Sequence, residues 1–117
     1  MTDEVTGLVW QQTAPANPCP ADGTGICTWA HAQTYCQSLS LGGLSSGWQV
    51  PTLPQLFSLV DLGTDPTIDA VAFPGTPNDG FWTASPDGNG TNWYMSFSNG
   101  VAYGNVFTNP LYVRCVH

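Results

Sequence analysis

Four cysteines, at positions 19, 27, 36 and 115, constrain this 117-residue chain more than any other feature. None belongs to a C-x-x-C pair, which argues against a zinc site or a thioredoxin-like redox centre. An even count in a short chain without lysine reads instead as two disulfides formed in an oxidising compartment. Three connectivities are open to four cysteines. Cys19 and Cys27 flank a loop rich in Pro, Gly and Asp, residues 20–25, that can bring them together locally. Cys36 is then left to meet Cys115 and tie the middle of the chain to its end. On a loop-entropy account the long bridge contributes about 4–5 kcal/mol and the short one about 2–3 kcal/mol. Against a typical total stability of about 5–15 kcal/mol, the long bridge is a large share.

The charge inventory narrows the partners. Only 8% of residues are charged, where ordinary soluble domains carry about 25%. Lysine is absent, Arg114 is the one basic side chain other than histidine, and the formal net charge is -7. Nucleic-acid binding needs several Lys or Arg to displace counterions, so nucleic acid is excluded as a partner. Anionic membranes and sulfated polysaccharides are disfavoured for the same reason. Neutral sugars, cations and other protein surfaces stay open. No apolar run reaches the roughly 18 residues of a membrane span. No signal peptide opens the chain, and Met1 leads straight into the folded-looking segment 5–10, so a leader or an upstream domain is expected to have been removed.

The length fits one domain, residues 1–117, and the five Trp, five Phe and four Tyr supply its core. Residues 5–10 read as an opening strand. Thr28 is the expected N-cap of a helix running to about Leu39, with Trp29, Ala32, Cys36 and Leu39 on its inner face. After Pro51, Thr52 and Gln55 form a capping box, and Leu53, Leu56, Phe57 and Val60 make the apolar face of a second helix. Residues 81–84 read as a short strand. Residues 93–97 and 101–107 flank Ser98-Asn99-Gly100, a strong hairpin signal. Residues 111–116 read as a last strand carrying Cys115. Helices in the first half and strands in the second give an α+β domain.

These segments, in this order, resemble the C-terminal domain family of the Legionella collagen-like adhesin. The matching residues are Thr6-Gly7-Leu8-Val9-Trp10, Thr28-Trp29-Ala30 with Ala32, Tyr35-Cys36 and Leu39, Gly47-Trp48-Gln49-Val50-Pro51-Thr52 with Leu56, Phe81-Trp82-Thr83-Ala84-Ser85, Trp93 to Gly100, and Tyr112-Val113-Arg114-Cys115-Val116. The Trp-x-x-Pro-Thr that opens the second helix and the terminal Val-Arg-Cys-Val are the most specific of them. The resemblance covers nearly the whole chain. It implies a C-type-lectin-like fold related to sulfatase-modifying factors, with two helices packed on a mainly antiparallel sheet. It also implies a secreted or surface-exposed bacterial module, found beside adhesive domains and associated with trimers and sulfated glycosaminoglycans. Gln49 and Gln55 stand where the family usually has Arg and Glu, so the glycosaminoglycan is not carried over.

Several residues invite chemistry. Gly43-Leu44-Ser45-Ser46-Gly47 matches a nucleophile elbow, but it follows a helix in a glycine-rich loop, and only His31 and His117 could serve as bases. Paired cysteines leave no thiolate to react. No catalytic residue and no cofactor is therefore expected. Asp79, Asp87 and Asn89 lie in segments that could ligate calcium, though plain β-turns explain them better. The aromatic-rich C-terminal half offers a surface. Strand alternation puts Trp93 and Met95 on one face and Tyr94 and Ser96 on the other. One face must be core, and the opposite one is expected to show Tyr94 with Tyr103. The ligand-binding or assembly surface, loops included, is expected to draw on Trp82, Trp93, Tyr94, Tyr103, Asn92 and Asn105.

Two functions follow. In the first, the chain is a non-enzymatic extracellular module whose loops and C-terminal hairpin face bind a glycan or a protein. In the second, it packs against copies of itself in a surface fibre or appendage. The near absence of Lys and Glu, residues depleted from interfaces, motivates this second reading.

Overall fold

The computed structural model describes residues 7–13, 15, 18–23, 25–64, 67–69, 72–77, 79–86, 88, 92–105 and 110–117, with the backbone alone at Asn105. The elements are α1 (Trp29–Gln37), α2 (Leu53–Phe57), β1 (Gly80–Pro86), β2 (Asn92–Ser96) and β3 (Val101–Asn105). The strands form an antiparallel sheet of order β1-β2-β3. Two helices, then a sheet, with two disulfides, is the α+β organisation expected from the chain.

Cys19 bonds Cys27 and Cys36 bonds Cys115, across sequence separations of 8 and 79 residues. α1 starts after Thr28, as its sequence predicts, but Thr28 makes no side-chain cap. Its backbone N–H donates instead to Asp22 Oδ2 at 2.9 Å, and the same oxygen lies 2.7 Å from His31 Nδ1. The short disulfide loop thus supplies the helix with an acceptor and a negative charge at the end where the macrodipole favours one. α1 buries Ala32 and Cys36 and stops two residues short of Leu39. α2 carries the full capping box between Thr52 and Gln55. It is only five residues long, and Leu53 N–H donates to Ser85 Oγ, fixing it to β1. Leu56 is fully buried, whereas Phe57 is 40% exposed, contrary to the expected apolar face. One residue on from Leu56, its side chain is turned about 100° away from the sheet.

β1 pairs with β2 at Phe81↔Met95 and Trp82↔Tyr94, with an irregularity between Trp82 and Pro86. Successive strand residues point to opposite faces. Trp82 enters a cluster with Cys27, Ala32, Cys36, Trp48, Val113 and Cys115. Phe81 enters a second one with Trp10, Leu56, Ile68, Met95, Phe97 and Val116. The sheet therefore divides two cores, rather than showing one face to the core and one to solvent.

Residues 111–116 are not the regular strand that their sequence predicts. They make single bridges to four separate segments: Leu111 to Cys27, Tyr112 to Phe81, and Val116 to both Trp10 and Gln49. No continuous ladder forms because three neighbours run antiparallel and one parallel to the segment, and each is met at a single bridge. Arg114, in the middle of this segment, is completely buried. One guanidinium nitrogen donates to the carbonyls of Gln11 and Gln12 at 2.6 Å, and the other to Thr76 Oγ1 at 2.8 Å. The guanidinium also lies over Phe73, 4.8 Å from the ring centroid. Loss of water pushes its pKa down to about 10, so it stays charged at neutral pH.

The bridges and the buried cation give two expectations for equilibrium urea unfolding. Replacing Cys36 and Cys115 by Ala should lower stability by about 4–5 kcal/mol, and replacing Cys19 and Cys27 by about 2–3 kcal/mol. An equal or reversed order would show that loop length is not what the bridges restrain. Arg114→Met leaves three acceptors without their donor and should cost on the order of 2–4 kcal/mol. Arg114→Lys should recover only part, because one ammonium cannot span three acceptors.

Candidate functional site

The β2–β3 hairpin follows directly from its sequence. Each strand holds two residues that favour extended backbone, Trp93 and Tyr94 in one and Val101 and Tyr103 in the other, and Phe97–Gly100 form the turn between Ser96 and Val101. Gly100 adopts φ +71°, which favours glycine, and its N–H donates to the Ser96 carbonyl at 2.8 Å. Asn99 Oδ1 accepts from Val101 N–H, and Asn99 Nδ2 donates to the Tyr103 hydroxyl at 2.8 Å. The turn is held to the body at Phe97, whose N–H donates to the Asp79 carbonyl and whose carbonyl accepts from Thr67. A side chain at Gly100 would come within 3.0 Å of Val60 and Leu62, so the turn and the loop beside it are in close contact.

Tyr94 and Tyr103 face each other across the hairpin, with ring centroids 5.4 Å apart and planes inclined by 28°. The Tyr94 ring lies across Gly80, where a Cβ would come within 2.7 Å of it. Only glycine at position 80 permits that position of the ring. Tyr103 is 39% exposed, and Val101 and Leu62 beside the turn are 46% and 74% exposed. Residues 88–113 contain no charged side chain. The hairpin thus offers aromatic and aliphatic surface with amide and hydroxyl groups, and no charge of its own.

The structure separates the six residues expected to share this surface. Trp93 and Tyr94 are half-buried and Tyr103 is exposed. Trp82 is not a surface residue: it is fully buried, packs against Trp29 and donates its indole N–H to the Cys27 carbonyl at 2.8 Å. Asn92 is buried as well, and its amide donates to the Thr83 carbonyl. Both are inside because β1 is covered on its two faces. The side chain of Asn105 lies outside the described residues.

Of the three residues considered for calcium, Asp87 and Asn89 lie outside the described residues. Asp79 accepts from the N–H of Gly80 at 2.8 Å, as a turn residue does. Asp22, Cys19 and Cys27 bring one ligand atom each within 4.8 Å of one another. Their sulfurs are bonded to each other, so they offer no thiolate to a metal. All four cysteines are paired. Ser45 of the glycine-rich loop bonds neither histidine: His31 meets Asp22, and His117 packs edge-on against Trp48.

Two clefts have no signature in the sequence, because their walls come from distant segments. One, of about 390 Å³, lies between residues 9–13 and the loop carrying Leu41, Leu44 and Trp48. The other, of about 180 Å³, is lined by Trp29, Gln33, Gln37 and Gln49. Gln49, which stands where the resembling family usually has Arg, here completes an uncharged wall.

A small α+β module, closed by two disulfides and carrying its one arginine in the interior, belongs to the class of extracellular, adhesin-associated domains. The chain belongs to the Lcl C-terminal domain family, whose model matches residues 1–117, its whole length. No curated protein matches it. The two disulfides are those of an oxidising, extracellular compartment. No helix among the described residues is long and apolar enough to cross a membrane.

The junction of the short loop and α1 should respond to acid. The Thr28 N–H, and then His31, hold the Asp22 carboxyl below its ordinary value of 3.8. A depressed pKa in the folded state stabilises above the ordinary value and is lost as pH falls through the folded one. The melting-temperature gap between wild type and Asp22→Asn should be full at pH 6. It should close as the pH is taken progressively below 3.8. A gap that is independent of pH would assign the effect to shape and not to charge.

Proposed function

We propose that this chain is a non-enzymatic adhesion module that binds an uncharged partner, a neutral glycan or a protein, through the exposed side of the β2–β3 hairpin. One observation carries the reading: the stacked Tyr94–Tyr103 pair sits with Val101 and Asn99 on a hairpin that has no charged side chain of its own. Tyrosine rings give large contact area at small cost in side-chain freedom, and the nearby amide can meet a hydroxyl or a backbone group. A polyanionic ligand fits poorly, because the one arginine is buried with its donors committed to internal carbonyl and hydroxyl acceptors. Nucleic acid fits poorly for the same reason. Catalysis is not proposed: the cysteines are paired and Ser45 lacks a base.

A second reading, self-assembly, is favoured by a different observation. Leu62, which lies against Gly100, and Val101, the next residue after it, are both exposed at the hairpin turn, where a soluble monomer gains nothing from apolar surface.

The test is a neutral-glycan and protein-ligand screen on the non-reduced protein, with and without calcium, followed by Tyr103→Ala on any ligand found. Binding should weaken by about tenfold or more, as for a central interface aromatic. The far-UV spectrum should not change, and a heparin column at low salt should not retain the protein. Undiminished binding by Tyr103→Ala, or retention on heparin, would remove the hairpin from the function.

A further inference from the structure

The sheet has two edges, and they differ. The outer side of β1 is closed: Trp82 N–H donates to the Tyr112 carbonyl at 3.0 Å, and Tyr112 N–H to the Gly80 carbonyl at 3.1 Å. Ala84 N–H donates to the Pro51 carbonyl at 2.7 Å. The outer side of β3 pairs with no strand among the described residues. An open edge presents a row of backbone donors and acceptors to any extended chain, and proteins usually blunt it with lysine, proline, a charge or a bulge. Val101-Ala102-Tyr103-Gly104-Asn105 has none of these, and its five residues pair with β2 in unbroken register. Val101 and Tyr103 flank the edge as exposed side chains, with Leu62 next to the turn.

Charge selects the occupant. Each copy carries a net charge of -7, so two copies repel wherever their acids face each other. The stretch 88–113, which contains β2 and β3, brings no charge of its own. The exposed acids that adjoin the hairpin, Asp61 beside Leu62 and Asp79 bonded to Phe97, lie at its turn, so the β3 edge is where two copies can approach. A cationic partner would be drawn to the acidic remainder instead.

We propose that β3 pairs antiparallel with β3 of a second copy, joining two three-stranded sheets into one of six strands around a two-fold axis. The proposal rests on the hairpin being the adhesive surface, and it names a second copy as one thing that surface takes. Because the β1 edge is already closed, the pairing ends at a dimer and does not propagate through the sheet. The dimer has an unusual dependence on salt. With charge centres about 30 Å apart, near the molecule's 33 Å width, screening between 20 and 500 mM NaCl removes repulsion worth on the order of tenfold in affinity. Salt therefore strengthens association, the reverse of an interface held by ion pairs.

Sedimentation velocity of the non-reduced protein from 1 to 200 µM, at 20 and 500 mM NaCl, tests this directly. Expected is a monomer–dimer equilibrium that tightens about tenfold at high salt, with the backbone amides of 101–105 protected from hydrogen exchange only at high concentration. Val101→Lys and Tyr103→Lys, which place a charge beside the edge, should each leave a monomer with an unchanged near-UV spectrum. Should either variant fold poorly, the exchange pattern of the wild type decides alone. A monomer at 200 µM in 500 mM NaCl, or a dimer whose 101–105 amides exchange freely, overturns the pairing. Ligand binding by that monomer, lost in Tyr103→Ala, would leave the adhesive reading of the hairpin intact.

Discussion

The fold depends on a terminal segment that has no secondary structure of its own. Residues 111–117 run through the middle of the molecule and are bonded in turn to the short disulfide loop, β1, the stretch before α2 and the start of the chain. Two bonds of different kinds hold them there. The Cys36–Cys115 disulfide fixes the segment covalently to α1. Arg114 fixes it to Gln11, Gln12 and Thr76 through hydrogen bonds that only a buried, charged fork can make. A buried charge without partners would be expelled. With three acceptors and an aromatic ring to meet it, the guanidinium adds to the backbone bonds of Val9 and Gln11 in tying the N-terminal segment to the end of the chain.

That internal use of the one arginine shapes the exterior. A surface without lysine or arginine repels polyanions and has little attraction for anything that recognises positive charge. The acids belong to the first 87 residues, and the strand-rich part of the chain is left neutral. Adhesion by such a surface rests on rings, aliphatic groups, hydroxyls and amides. It is therefore not weakened by salt as an ion-paired surface is, and shape matters more than attraction between charges.

The position of the sheet explains where the surface proposed to adhere lies. β1 lies between two hydrophobic clusters, so its rings are consumed by the core, and Trp82 uses even its indole N–H internally. Moving outward, β2 is half covered and β3 is the edge. On the sheet, aromatic surface remains where burial runs out, at Trp93, Tyr94 and Tyr103. Gly80 lets the Tyr94 ring lie flat over β1, and Asn99 orients Tyr103.

What the residues declared by themselves were the local and covalent decisions. The pairing of Cys19 with Cys27 follows from a loop of turn formers, and the start of α2 from Thr52 and Gln55, because neighbours in sequence must be neighbours in space. The hairpin around Asn99-Gly100 and the exclusion of polyanions were legible for similar reasons, one from backbone preference and one from a count of charges. The alternation of residues 93–96 could not show that both faces of the sheet near β1 would be covered, which is why Trp82 and Asn92 read as surface. Nor could the apolar run 111–116 reveal that its partners are four different segments, since a strand pattern says nothing about what it pairs with. The fate of Arg114 was hidden in the same way: its acceptors lie 38 to 103 residues away in sequence. Local sequence sets which turns, caps and strands are available. Only tertiary packing, by deciding which faces lose water, determined which aromatic residues became core and which remained free to bind.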